Sequence, residues 1–202
     1  NGRIVVERGA KLIIDGGEVY AWGSNWSGIQ VWGNSALPQT IVSGLAPNQG
    51  IVDVINQGTI RDAAIGISTG KFFDNGDIDW GGYFGGIIRC NNAKFINNWK
   101  GVGYLTYHNK NSIGNTINNI GYFYNTLFET NSVLKDPNNQ YPDAFVSLWA
   151  VEGVKFYGNT YRNTNPTVPS IDKRGNGINS YDASYIIDRY KSGCTLYNYA
   201  TG

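Results

Sequence analysis

Three carboxylates crowd one short segment: Asp74, Asp77 and Asp79 in Asp-Asn-Gly-Asp-Ile-Asp. Acids beside a turn glycine could gather the oxygen ligands that calcium prefers. Their spacing does not match the EF-hand loop, so a solvated acidic turn is the competing reading. A second chemistry is suggested by aromatic residues. Trp32, Phe72, Phe73, Trp80, Tyr83, Phe84, Tyr107 and His108 fall in or beside three segments, 33–50, 70–86 and 106–119. Flat apolar rings flanked by amides are what sugar rings need, a platform with directional hydrogen bonds around it. Trp32, Trp80, Tyr83, Phe84 and Tyr107 are the candidate glycan contacts. The alternative is that these rings pack their loops against the body of the protein.

Something must bring three separate segments together, and the sequence repeats itself in a way that would. The pentapeptide at 58–62 (GTIRD) returns at 93–97 (AKFIN), 126–130 (TLFET), 159–163 (NTYRN) and 194–198 (CTLYN). Its central apolar residues are Ile60, Phe95, Phe128, Tyr161 and Leu196, at intervals of 35, 33, 33 and 35 residues. Two positions on stand Asp62, Asn97, Thr130, Asn163 and Asn198, small and polar. A fixed period with few matched positions is the signature of a stacked repeat.

Two further strand-like elements recur with it. One is a Gly-Ile or Gly-Val run at 28–31, 66–68, 101–104 and 177–180, with 144–148 (AFVSL) filling the same slot without glycine. The other precedes each pentapeptide, at 51–55, 87–90, 121–123, 154–156 and 185–187. Leu12, 48 residues before Ile60, reads as the first member of the apolar column. Three short strands per repeat predict an all-β fold, a right-handed single-stranded parallel β-helix of about five to six coils with long loops at one corner. Helical arrays of similar period need amphipathic helices, and no segment sustains that spacing. A β-sandwich also uses short strands but does not predict one residue class at one place in every repeat. In this fold the apolar column is an internal stripe, and Asn97, Asn163 and Asn198 form an amide ladder from coil to coil.

Catalysis finds little support. A lyase or hydrolase would need acids, or an acid with Lys or Arg, on outward positions of adjacent coils. The outward positions of the Gly-Ile strand are Gln30, Ser68, Gly103 and Ser147 or Asn179, none of them acidic. Asp53, Glu152, Asp182 and Asp188 fall at different corners, and the lone His108 has no partner in sequence. No catalytic residue is assigned.

The net charge of +1, with 15% charged residues, carries no electrostatic footprint for nucleic acid or an anionic membrane. No apolar run approaches the length of a membrane-spanning helix. The 27 glycines suit turn-rich β structure, and 14% aromatics supply core enough for a single domain over 1–202. Cys90 and Cys194 would lie three coils apart, about 14 Å, too far for a disulfide, so two free thiols are expected. The absence of methionine, position 1 included, suggests a processed or internal piece of a longer chain with flanking domains.

Several phrases, 9–17 (GAKLIIDGG), 26–34 (WSGIQVWGN), 145–156 (FVSLWAVEGVKF) and 177–184 (GINSYDAS), resemble secreted or cell-surface β-helix proteins of Bacteroidetes-type bacteria exported by type IX secretion. The resemblance implies export, contact with secretion machinery, attachment at the cell surface, and adhesion to a glycan or surface protein. It carries no catalytic motif and no cofactor, with calcium the one ion to consider. The resulting expectation is a non-catalytic adhesive module. The alternatives are a polysaccharide lyase or glycoside hydrolase on the same fold, and a structural spacer of a large surface protein.

Overall fold

The computed structural model describes residues 2–73, 76–192 and 195–197, with side chains described up to residue 189. The chain begins with β1 (Arg3–Val6), β2 (Lys11–Asp15) and β3 (Glu18–Val19), then repeats the trio as β4 (Trp26–Val31), β5 (Ile51–Ile55) and β6 (Thr59–Arg61). It continues with β7 (Ala63–Ser68), β8 (Ile87–Asn91) and β9 (Lys94–Ile96), then β10 (Lys100–Tyr104). A small hairpin follows, β11 (Asn109–Lys110) and β12 (Thr116–Ile117), before β13 (Tyr122–Tyr124) and β14 (Leu127–Thr130). After β15 (Ala144–Trp149), β16 (Glu152–Tyr157) and β17 (Thr160–Asn163) come β18 (Asn176–Tyr181), β19 (Ser184–Asp188) and a last hairpin, β20 (Tyr190–Ser192) with β21 (Thr195–Tyr197). The described residues contain one 3-10 turn, Ile171–Lys173, and no α-helix; none of their helices is long and apolar enough to cross a membrane.

Successive strands go to three different parallel sheets in rotation. The first sheet runs β1-β4-β7-β10-β15-β18, the second β2-β5-β8-β13-β16-β19, the third β3-β6-β9-β14-β17. The protein is therefore all-β and built on parallel pairing, which needs burial on the inner side to be stable. In the third sheet Val19 pairs with Ile60, Ile60 with Phe95, Phe95 with Phe128, and Phe128 with Tyr161. The Phe128 ring lies 5.0 Å from Phe95 and 5.1 Å from Tyr161, within 10° of parallel to each. Phe123 and Phe156 form a second stack, 5.1 Å apart, on the second sheet. Each fully buried ring contributes about 1.5–3 kcal/mol by leaving water.

Two members of the expected column lie elsewhere. Leu12 pairs with Val52 in the second sheet, and Val19 heads the Ile60 column instead. The long interval before Ile60 includes an additional strand, which spacing alone assigns to loops. Leu196 pairs with Lys191 across the antiparallel β20–β21 hairpin, so local pairing takes it away from β17 and Tyr161. Asn198 and Cys194 lie outside the described residues. Cys90 is buried and free, and burial pushes its thiol well up.

The polar positions beside the column act as bend residues. Asp62 and Asn97 have φ of 58° and 54°, the left-handed region that short polar side chains tolerate. The Asn97 amide donates to Asn131 Oδ1 at 2.9 Å and accepts the Asn131 backbone N–H at 2.9 Å. Asn163 departs from the ladder: its amide donates to the Arg174 carbonyl in the following loop. Thr130 is fully buried with no partner for its hydroxyl. Asn98 and Asn159 also clasp one pass of the chain to the next, through backbone groups. Asn98 accepts from Ala63 N–H and donates to Ile60 O; Asn159 accepts from Thr126 N–H and donates to Phe123 O.

The recurrent glycines have a packing cause. A Cβ on Gly66 would meet the Gly101 carbonyl at 2.4 Å and the Phe95 ring at 3.1 Å, and one on Gly101 would meet the Phe145 carbonyl at 2.5 Å and the Phe128 ring at 3.0 Å. The glycines of the first sheet make room for the ring column of the third.

Candidate functional site

The first sheet presents its outer face between two sets of loops. Val5, Gln30, Ser68, Gly103, Ser147 and Asn179 are register partners across it. The segments 32–50, 69–86 and 105–121 leave the ends of β4, β7 and β10 and lead to the second sheet. From the third sheet, 131–143 returns to the start of β15. The floor is thus uncharged, with the polar Gln30, Ser68, Ser147 and Asn179 beside Val5 and Gly103, and loops rise at both ends of its strands.

Gln30 fixes one wall. Its side chain is 2% exposed; Oε1 accepts the Phe72 backbone N–H and the Trp32 indole N–H at 3.2 Å each, while Nε2 donates to Phe72 O at 3.2 Å. This tie holds the turn in which Phe72 bridges to Ile78 and Phe73 N–H bonds Asp77 O at 2.9 Å. Phe73 is left 50% exposed at its crest. The opposite wall is a turn closed by Asp136, whose carboxylate accepts the Asn138 backbone N–H at 2.9 Å and the Asn139 amide at 2.8 Å. Lys135 anchors this turn to Asp62 at 2.8 Å.

Between the walls lies a cavity of about 450 Å³ lined by Ser27, Gln30, Ser68, Phe72, Phe73, Trp99, Asn138 and Asn139, among others. A second recess of about 330 Å³ is lined by Arg3, Val5, Trp32 and Lys71 and shares Phe72 and Phe73 with the first. Phe73 therefore stands between two hollows. The second has an aromatic and cationic side: Trp32 and Tyr83 rings are 5.0 Å apart, and Lys71 Nζ lies 4.5 Å from the Tyr83 centroid and 5.3 Å from that of Trp32. Asp79, 3.0 Å from Lys71, holds that ammonium above its usual pKa; Lys71 and the Gly81 N–H hold Asp79 below the usual carboxylate range.

The five rings selected from sequence separate. Trp32 lines the second recess, and Tyr83 packs against the Trp32 ring. Trp80 is 60% exposed and stands edge-on to Phe84 at 5.6 Å and Trp149 at 5.1 Å. Phe84 and Tyr107 are buried, a correction to their reading as glycan contacts. The Tyr107 hydroxyl accepts the Gln39 N–H, and a Cβ on Gly70 would strike the Phe84 ring, so both rings are spent on seating the loops.

The acidic segment is described at Asp77 and Asp79. Asp79 is engaged by Lys71 and Gly81, Asp77 offers its carbonyl to Phe73, and Asp74 lies outside the described residues. No group of three or more His, Cys, Asp or Glu among the described residues is placed to hold a metal. His108 acquires partners that sequence did not indicate. Tyr107 bridges in parallel to Val151, which brings Glu152 Oε1 within 3.2 Å of Nδ1, and Asp182 Oδ2 lies 3.6 Å from Nε2. All three side chains are partly solvated, as in a surface ion-pair cluster.

A further cavity of about 490 Å³ lies among β17, β18 and β19, where apolar residues such as Phe156, Tyr161, Ile178 and Tyr185 are joined by the polar Asn159, Arg162, Asn163 and Arg174. Sequence reading missed the Asp136–Asn139 wall and Trp99. The signal was present in the stretch from Thr130 to Ala144, with Asp-Pro-Asn-Asn at its centre, a turn-rich insertion at the other end of the strands. No protein-family model matches this chain, and no curated protein or solved structure does.

Proposed function

We propose that the chain is a non-catalytic β-helix module that holds a glycan in the groove around Phe73. The supporting architecture is the rotation of strands through three parallel sheets, with register partners about three dozen residues apart. We read this as a right-handed single-stranded solenoid of five to six coils. The observation that carries the function is Phe73 itself, a half-exposed ring between two hollows whose rims supply amides and hydroxyls. An apolar platform with directional polar groups is the recognition logic of a pyranose ring. The resemblance to exported bacterial surface β-helix proteins supports recognition outside the cell, where adhesion to glycan would serve attachment.

The test is a polysaccharide panel in which binding and the release of reducing or unsaturated ends are measured together. Binding without turnover, lost in Phe73→Ala, supports the proposal. Turnover would move the chain to the lyases or hydrolases, and His108 with Glu152 would be the first pair to mutate. Silence across the panel would leave a structural spacer.

A further inference from the structure

We infer that the cavity of about 450 Å³ beside Phe73 is built for a neutral sugar unit, not an acidic or sulfated one. The inference rests on the glycan reading of the groove and narrows its ligand class. Each charged group that can be placed near this cavity already has a partner within the protein. Asp136 is the one ionisable residue among the described lining, and both its oxygens are taken within its own turn. The neighbouring cations are engaged as well: Lys135 with Asp62 at 2.8 Å, Lys100 with Asp143 at 3.3 Å and, in the adjoining recess, Lys71 with Asp79 at 3.0 Å, while Arg3 donates to the Phe72 carbonyl at 2.7 Å. An anionic ligand would find no uncommitted cation among these groups, and losing its hydration there would go uncompensated.

The remaining polar capacity is neutral and points to hydroxyl groups. Ser68 on the floor is 2% exposed, yet its hydroxyl reaches only Ile29 O, at 3.5 Å, the outer limit of hydrogen bonding. A buried hydroxyl so weakly bonded is costly unless something else satisfies it. Gln30 beside it uses one amide N–H on Phe72 O, and a primary amide has two. Asn138 and Asn139 supply side-chain amides from the opposite wall, and Phe73 and Trp99 supply ring surface. Donors and acceptors without net charge, set against apolar faces, complement the alternating C–H faces and hydroxyl edge of an uncharged pyranose.

Matched polymers that differ only in charge provide the test. Dextran is compared with dextran sulfate, and polygalacturonate with its carboxyl-reduced form, alongside the neutral polymers xyloglucan and galactomannan. Each is titrated at low and high salt against the wild-type chain, Ser68→Ala and Phe73→Ala. The expected result is binding of at least one neutral polymer, with affinity changing by no more than about twofold between salts. Ser68→Ala, which removes a hydroxyl with almost no internal partner, should weaken that binding about three- to tenfold. If only the charged members bind, and salt releases them, the neutral-sugar inference is overturned while the groove remains a glycan site. It is overturned equally if neutral polymers bind and Ser68→Ala has no effect. If no polymer binds, the glycan reading itself fails and this inference goes with it.

Discussion

The rings of Phe95 and Phe128 lie face to face, centroids 5.0 Å apart and planes 10° from parallel, though 33 residues of sequence separate them. Tyr161 continues the stack at 5.1 Å. Phe128 is thus the middle ring of three, fully buried, with Gly101 directly against it. Phe128→Ala is expected to lower stability by about 3–5 kcal/mol, because neighbours on both sides are held in register and cannot collapse into the space. Chemical denaturation of the purified variant measures this, and a loss under about 1 kcal/mol would contradict the packing.

Gly101→Ala tests the same column from the outside. The added methyl would approach the Phe145 carbonyl at 2.5 Å and the Phe128 ring at 3.0 Å, so backbone or ring must shift. A loss of about 1–3 kcal/mol is expected in the same denaturation assay. Gly177→Ala, whose Cβ would meet nothing within 4 Å, should be far milder.

Asn159 and Asn163 look alike in the repeat and should behave differently. Asn159→Ala strands the Thr126 N–H at a buried corner and removes a second bond from the Phe123 carbonyl, at a cost of about 1–3 kcal/mol for the group left unsatisfied. Asn163 serves an exposed contact with Arg174, and its alanine variant should lie within about 1 kcal/mol of wild type. Thermal melts of the two variants side by side check the contrast.

Asp53 gives the fold a dependence on pH. Burial alone would raise its carboxyl, but paired hydrogen bonds from Arg89 at 2.7 Å, the bond from Lys11 at 2.9 Å and the charges of both outweigh it and hold it below the usual range. With the folded pKa below the unfolded one, the contribution is complete above the ordinary carboxylate value of about 3.9. It is lost as the pH falls through the folded value. Asp53→Asn is therefore expected to cost about 1.5–3 kcal/mol at neutral pH. The gap to wild type should close in acid, below the carboxylate range. A constant gap in denaturation curves taken down to that range would refute the assignment.

The two exposed rings of the 69–86 loop should separate stability from recognition. Trp80→Ala forfeits edge contacts with Phe84 and Trp149 and should cost about 1–2 kcal/mol. Phe73→Ala should leave the melting transition nearly unchanged while abolishing retention on any polysaccharide that retains the wild-type chain. Affinity electrophoresis together with thermal melts distinguishes them.

The repeat made the inner column legible because stacked parallel strands demand one residue class at one position, and Ile60, Phe95, Phe128 and Tyr161 satisfy that demand. Outward positions of the first sheet, Gln30 through Asn179, followed from the same alignment. What escaped was set by contacts outside the period. Leu12 and Val19 could not be told apart while the first interval was irregular. Phe84 and Tyr107 carry the same composition signal as Trp80, and only the path of their loops decides which ring faces inward. The Asp136 turn and the Glu152–His108 contact join residues with no common spacing, so no pattern in one sequence could announce them.

The segment 69–86 departs from one sheet and rejoins another without supplying a ring to the Phe95–Phe128 stack. Selection can therefore rewrite the exposed part of that detour, around Phe73 and Trp80, so long as the anchors at Phe72 and Phe84 keep their places. Such a molecule separates inheritance from innovation: the scaffold persists through its spacing, and new specificities arise as exchangeable cassettes fastened to an unchanged frame.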